Sequence, residues 1–363
     1  MNSKVLIHGI SILFVILMVS GCSSGTKSGE PNIVYDAVVD SSFTGTDGEI
    51  VEGVKMFKTV QSAADSPPTG TTEKYVIFIR NGTYYEKVTV QKPYITLLGE
   101  SEENTVITFD AAAGMTEADG SKYGTSGSAT LSVYGPFFTA KNLTILNSFD
   151  YMANMAKTDD DPTKIHGSQA VALKTGGFSQ KAVFSHVTVS SFQDTLLADE
   201  GTQYYEHCTI KGAVDFIFGA GQAVFNDCDI ISLDRKSQTN NGFITAASTK
   251  PWHDYGFLFI NSRLLKESED MADGTVALGR PWHPSSDPGR NPAVVFVNTY
   301  MDAHISAKGW EPMSGHSPMD ARFYEYGSTG PGAFQSETRR VLSESEGVQY
   351  TIENVLDGWN PAE

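Results

Sequence analysis

Two aspartates stand 21 residues apart in this chain. Asp194 lies in Ser191-Phe192-Gln193-Asp194-Thr195-Leu196, and Asp215 in Gly212-Ala213-Val214-Asp215-Phe216-Ile217-Phe218-Gly219. Paired carboxylates suit hydrolysis, because one can stay ionised as nucleophile or base while the other keeps its proton as acid. Two ionised carboxylates ~5 Å apart repel by about 3 kcal/mol at an effective dielectric of 20, equivalent to roughly two pKa units. Such a pair titrates as a coupled unit, and a nearby cation decides which member keeps its charge. Arg280, in Leu278-Gly279-Arg280-Pro281-Trp282, is the best candidate for that cation, although only the fold can bring it close. Gln169 precedes Gln193 by 24 residues. Both amides could flank the carboxylates and donate to a developing oxyanion without adding charge. For either glutamine alone, a structural ladder is the alternative. Nothing structural requires the whole constellation.

These residues converge only if the chain around them repeats. Phe184-Ser185-His186-Val187-Thr188-Val189 is followed by Tyr205-Glu206-His207-Cys208-Thr209-Ile210 and Phe225-Asn226-Asp227-Cys228-Asp229-Ile230. Weaker copies start at Phe259 and Phe296. Each copy alternates apolar and polar residues, which is strand periodicity. Gly, Asn, Asp and Ser punctuate the copies as turns require. A fixed short period carried on strands, without intervening amphipathic helices, predicts an all-β stacked repeat, a parallel β-helix. A β-sandwich with accidental regularity ranks below it, since a sandwich needs no like side chains at one-coil intervals. One coil then separates Asp194 from Asp215, ~5 Å apart on adjacent strands. His186 and His207 share a repeat position, which assigns them a stacking role, and His166 is also read as structural.

The 363 residues carry 26 Lys and Arg against 43 Asp and Glu, a net charge of −17. Nucleic-acid binding needs a basic surface and is excluded on that balance. There is no Gly-x-Ser-x-Gly elbow for serine catalysis and no His-Glu-x-x-His metal motif. Asp159-Asp160-Asp161 reads as a solvated loop, because its spacing is not diagnostic of calcium. No metal or organic cofactor is expected.

The N-terminus reads as an export signal. Lys4 gives a basic start, Ile10 to Val19 is almost entirely apolar, and small residues lead into Cys22. The apolar stretch is short for a membrane span. Ser20-Gly21-Cys22 resembles a bacterial lipobox, which implies a signal peptide over 1–21 and lipidation of Cys22. A flexible tether then covers 22–30, and one folded domain runs from 31 to 363. Ser23 after the cysteine favours the outer membrane by that resemblance, with the domain in the periplasm or at the cell surface. Cys208 and Cys228 sit at one repeat position. Stacked strands bring their Cα atoms ~4.8 Å apart, within disulfide range, and exported proteins meet an oxidising compartment. A Cys208–Cys228 disulfide is therefore expected, with two buried thiols as the alternative.

Several motifs, in order, resemble the pectin methylesterase family. They include Phe57-Lys58-Thr59-Val60-Gln61-Ser62-Ala63, Gly82-Thr83-Tyr84-Tyr85-Glu86, and Gly124-Thr125-Ser126-Gly127-Ser128-Ala129-Thr130. The sharpest are Gln193-Asp194-Thr195-Leu196, Val214-Asp215-Phe216-Ile217-Phe218-Gly219 and Leu278-Gly279-Arg280-Pro281-Trp282. Gly330-Pro331-Gly332-Ala333 and Gly358-Trp359-Asn360-Pro361 also fit. The resemblance implies a right-handed parallel β-helix and hydrolysis of galacturonate methyl esters in pectin or oligogalacturonides. It implies Asp215 as nucleophile and Asp194 as general acid, then base. Gln193 and Gln169 become oxyanion donors, Arg280 the group that holds Asp215 ionised, and Phe218, Trp282 and Thr125 sugar-binding residues. A β-helix glycoside hydrolase also uses paired carboxylates, a lyase would need calcium, and a non-catalytic glycan-binding lipoprotein is a third alternative. A monomer is the default expectation.

Overall fold

The computed structural model describes residues 34–361. Cys22, the expected leader and the expected domain start at Pro31 lie outside the described residues. From Tyr35 onward the described residues form one compact unit. Its strands make three parallel ladders, and successive coils contribute one short strand to each. Parallel neighbours joined by crossovers wind right-handed, and the unit is a right-handed parallel β-helix. One ladder is a separate seven-stranded sheet: Val88–Val90, Leu131–Val133, Leu173–Thr175, Leu196–Ala198, Val214–Gly219, Gly242–Ala247 and Val276–Gly279. This sheet carries both aspartate segments.

The repeat seen in the sequence is the interior of the stack. Phe184, Tyr205, Phe225, Phe259 and Phe296 pair in register on consecutive coils. Their rings stack at 4.7, 4.7, 4.5 and 4.7 Å between centroids, which is the strand spacing itself. Each such pair contributes about 0.5–1.5 kcal/mol beyond the area it buries. The next position in this register is Glu325, which ends the ladder in a buried, two-pronged ion pair with Arg339 at 2.6 Å.

Two residues after each of these aromatics the chain bends between two faces of the stack. His186, His207, Asp227, Asn261 and Asn298 occupy that bend, as Asn142 does two residues after Ala140 on the preceding coil, all with φ between 49° and 55°. Left-handed backbone tolerates Asn, Asp and His better than β-branched residues, so the polar residue in each repeat sets the corner. His186 and His207 meet there with rings 5.1 Å apart.

The expected disulfide does not form. Cys208 and Cys228 are both free, buried thiols. Each Sγ donates to the carbonyl two residues earlier and to one on the preceding coil: Cys208 to Glu206 and Phe184, Cys228 to Asn226 and Tyr205. Ser262 and Thr299, at the same position on the next coils, repeat the pattern with their hydroxyls. The two thiols therefore act as corner donors that point the same way. In-register Cβ atoms stay near the strand spacing, whereas a disulfide needs them to converge to ~3.8 Å. In a Cys22→Ser chain, denatured without reductant, both remaining cysteines should accept a maleimide. Labelling of neither would show that they are bonded.

Candidate active site

Asp194 and Asp215 are neighbours across the seven-stranded sheet. Gln193 pairs with Val214 one residue earlier, and the Asp194 amide donates to the Val214 carbonyl at 3.0 Å. Both aspartates have left-handed backbone, with φ of 61° and 49°. Aspartate tolerates that region, and the two lie where the chain enters the sheet, Asp194 just before Leu196–Ala198 and Asp215 second in Val214–Gly219. A bulge accompanies Asp215: Val214 pairs with Phe243 and Ile217 with Thr245, so one extra residue sits on the aspartate's strand. Bulges beside active sites re-aim side chains.

Arg280 arrives from 65 residues away and makes two hydrogen bonds to Asp215, Nε to Oδ1 at 2.7 Å and Nη2 to Oδ2 at 2.5 Å. Such a fork is stronger and more directional than a single ion pair. The guanidinium lies 4.0 Å over the Phe243 ring, and the Arg280 amide donates to the Thr245 carbonyl. Gly279 makes this approach possible. A Cβ there would sit 1.9 Å from Thr245 Oγ1 and 2.6 Å from its carbonyl oxygen.

The two carboxyls have unlike surroundings. Asp194 is 9% exposed and Asp215 7%, so both lose hydration. Burial holds Asp194 well above the ordinary carboxylate range, the charge of Asp215 adds to the rise, and Arg280 opposes it. Burial also raises Asp215, but there the hydrogen bonds and charge of Arg280 pull directly against it. No side chain among the described residues hydrogen-bonds to the Asp194 carboxyl. Both carboxyls are raised, Asp194 the more strongly, so the arrangement favours the proton on Asp194 and the charge on Asp215, the division an acid and a nucleophile need.

A cleft of 460 Å³ contains every residue expected at the site: Thr125, Gln169, Gln193, Asp194, Asp215, Phe218, Arg280 and Trp282. Among the described residues no side chain engages either glutamine amide, which leaves both available to a ligand oxygen. Thr125 belongs to the short turn Gly124–Gly127, held when Ser128 Oγ donates to the Thr125 carbonyl at 2.7 Å. Phe218 and Trp282 meet with ring centroids 5.7 Å apart and form an apolar wall with Leu197 and Ala246.

Leu197, Ala246, Asp199, Ser126 and Met313 also line the cleft, and sequence reasoning missed them. Leu197 and Ala246 occupy the register of Phe218 on the coils either side, so the repeat could have found them. Met313 comes from a loop beyond the last strand of this sheet and carries no such signal.

Residues 50–358 match the family model named Pectinesterase. Pectinesterase A of Dickeya chrysanthemi is 42% identical to this chain, over 90% of it and 92% of that protein. Pectinesterase 1 of Olea europaea is 32% identical, over 88% of this chain and 82% of that protein. Among solved structures, the pectin methylesterase of Erwinia chrysanthemi is 42% identical, with a TM-score of 0.84, covering 91% of this chain and 99% of that one. A pectin methylesterase in complex with a hexasaccharide is 40% identical, with a TM-score of 0.83 and the same coverage.

Proposed function

This chain belongs to the pectinesterase family, and from that premise we propose how its own residues divide the chemistry. The protein is a carboxylic ester hydrolase that removes methyl groups from methyl-esterified galacturonate units of pectin and releases methanol. The observation that carries the assignment of roles is the fork of Arg280 on Asp215, one coil from a buried Asp194 with no side-chain partner.

Asp215 attacks the ester carbonyl carbon and forms a tetrahedral intermediate. The amide groups of Gln193 and Gln169 donate to its oxyanion. The intermediate collapses, the carbon–methoxy bond breaks, and the Asp194 proton passes to the departing oxygen, giving methanol. The galacturonyl group is left as an anhydride on Asp215. Asp194, now ionised, takes a proton from water as that water attacks the anhydride. The de-esterified galacturonic acid unit is released and gives its proton to solvent, while Asp215 regains its carboxylate and Asp194 its proton. Two easier steps replace one hard one. The apolar wall of Phe218 and Trp282 suits the flat face of a sugar ring, and Thr125 borders the same cleft. Both aspartates, both glutamines and Arg280 come from one chain, so a monomer suffices.

Methylated pectin incubated with the protein should yield methanol without new reducing ends. New reducing ends would instead favour the glycoside hydrolase alternative. For location, Ser20-Gly21-Cys22 supports a lipid-tethered protein of the outer membrane, with its domain in the periplasm or at the cell surface. Cys22→Ser should shift the protein from membrane to soluble fractions, and unchanged fractionation would overturn the tether.

A further inference from the structure

Two residues of the cleft, Trp282 and Met313, stand on loops rather than on the seven-stranded sheet. Trp282 belongs to 280–292, which joins Val276–Gly279 to Ala293–Val297. That loop is tied down at several points. The Trp282 amide donates to the Ala247 carbonyl at 3.0 Å, and Arg290 Nη1 to the Ser248 carbonyl at 3.2 Å. His283 Nδ1 donates to the Pro288 carbonyl at 2.8 Å, which closes the loop on itself.

Met313 stands on a different footing. It flanks a two-residue turn, Ser314 and Gly315, whose φ values of 51° and 87° are both left-handed, as the tightest hairpins require. Met313 and His316 close the turn by exchanging backbone hydrogen bonds at 3.1 and 2.9 Å. Among the described residues, no hydrogen bond or ion pair joins 312–316 to another segment. Directly opposed residues present their side chains on one face, so His316 leaves the tip beside Met313. Its ring lies flat on that of His283, with centroids 3.7 Å apart and planes 7° apart. The residue after Trp282 thus meets the residue opposite Met313, and the stack joins the anchored loop to the unanchored tip. Neither histidine lines the cleft itself.

We infer that the His283–His316 stack is a clasp that holds Met313 at the cleft, which makes both histidines positioning residues for substrate binding. The inference rests on the pectinesterase assignment above. Stacked rings fix the separation and tilt of the segments that carry them. Without the stack, a sugar chain has to order the tip as it binds, and that ordering is taken from its affinity. Asp194, Asp215 and Arg280 keep the contacts described above, so the chemical steps are left intact.

The test is a set of variants assayed on methylated pectin. His316→Ala should raise KM about 3- to 10-fold while kcat stays within about twofold. His316→Phe keeps a flat ring on His283 and should retain the wild-type KM. Met313→Ala should raise KM by itself. Combined with His316→Ala it should cost less than the product of the two single effects, because both remove the same contact with substrate. An unchanged KM in His316→Ala, equal impairment in His316→Phe, or fully multiplying losses in the double variant would each overturn the clasp. So would a fall in kcat as large as the rise in KM, which would mark a general loosening of the fold. Calorimetry with fully de-esterified hexagalacturonate reads the same contact without turnover, and His316→Ala should weaken its binding about 3- to 10-fold. That weakening, together with no methanol release from the wild type, would keep the clasp and refute the esterase assignment.

Discussion

Asp215→Asn is expected to lower methanol release by about ten-thousandfold or more while leaving the fold in place. The amide keeps the size of the carboxylate and tolerates the same left-handed backbone, but it is not a nucleophile. Losing the nucleophile of a covalent mechanism removes the acyl-enzyme route altogether, and comparable deletions cost four to six orders of magnitude. Folding should survive, because Arg280 is partly exposed, with 23% of its side chain in contact with solvent, and can turn toward water once its partner is neutral. Residual activity above about one per cent in a folded variant would show that Asp215 is not the attacking group.

Asp194→Asn is expected to separate catalysis from stability. Without the proton donor, methanol departs unassisted, at a cost of about 100- to 10,000-fold. The wild-type rate should fall at low pH as the Asp215 carboxylate protonates, and at high pH as Asp194 loses its proton. The residual rate of Asp194→Asn should lack the high-pH fall. For stability, the folded Asp194 carboxyl ionises well above its unfolded value, because burial and Asp215 both disfavour a second negative charge. Folding is unaffected by this below about pH 4, where the group is protonated in both states. The penalty grows as pH rises from there through the folded value. Asparagine never ionises, so the variant should melt about 2–4 °C higher than wild type at pH 7, with the two converging near pH 4. A lower melting temperature at pH 7 would mean that Asp194 supports the fold rather than straining it.

The disulfide followed from a correct distance between Cys208 and Cys228. Proximity did not reveal that both thiols serve as corner donors in the pattern of Ser262 and Thr299. Spacing specifies where a side chain starts, and rotamer and hydrogen bonding specify where it ends. Phe243, the ring beneath Arg280, was overlooked because aromatics in strands are ordinary core residues and nothing local marks this one.

The sequence alone determined the coil and the pair. A repeat of about 21 residues, with an aromatic facing in and an Asn, Asp or His at the corner, can bury its ladder only by stacking. Stacking makes Asp194 and Asp215 neighbours, because one repeat apart in sequence is one strand spacing apart in space. Tertiary structure decided which aspartate keeps its charge. Arg280 reaches Asp215 and not Asp194 through a bulge, a left-handed backbone at each carboxylate and the missing side chain of Gly279. These are differences of one or two ångströms between side chains distant in the chain, and a periodic pattern carries no information at that scale.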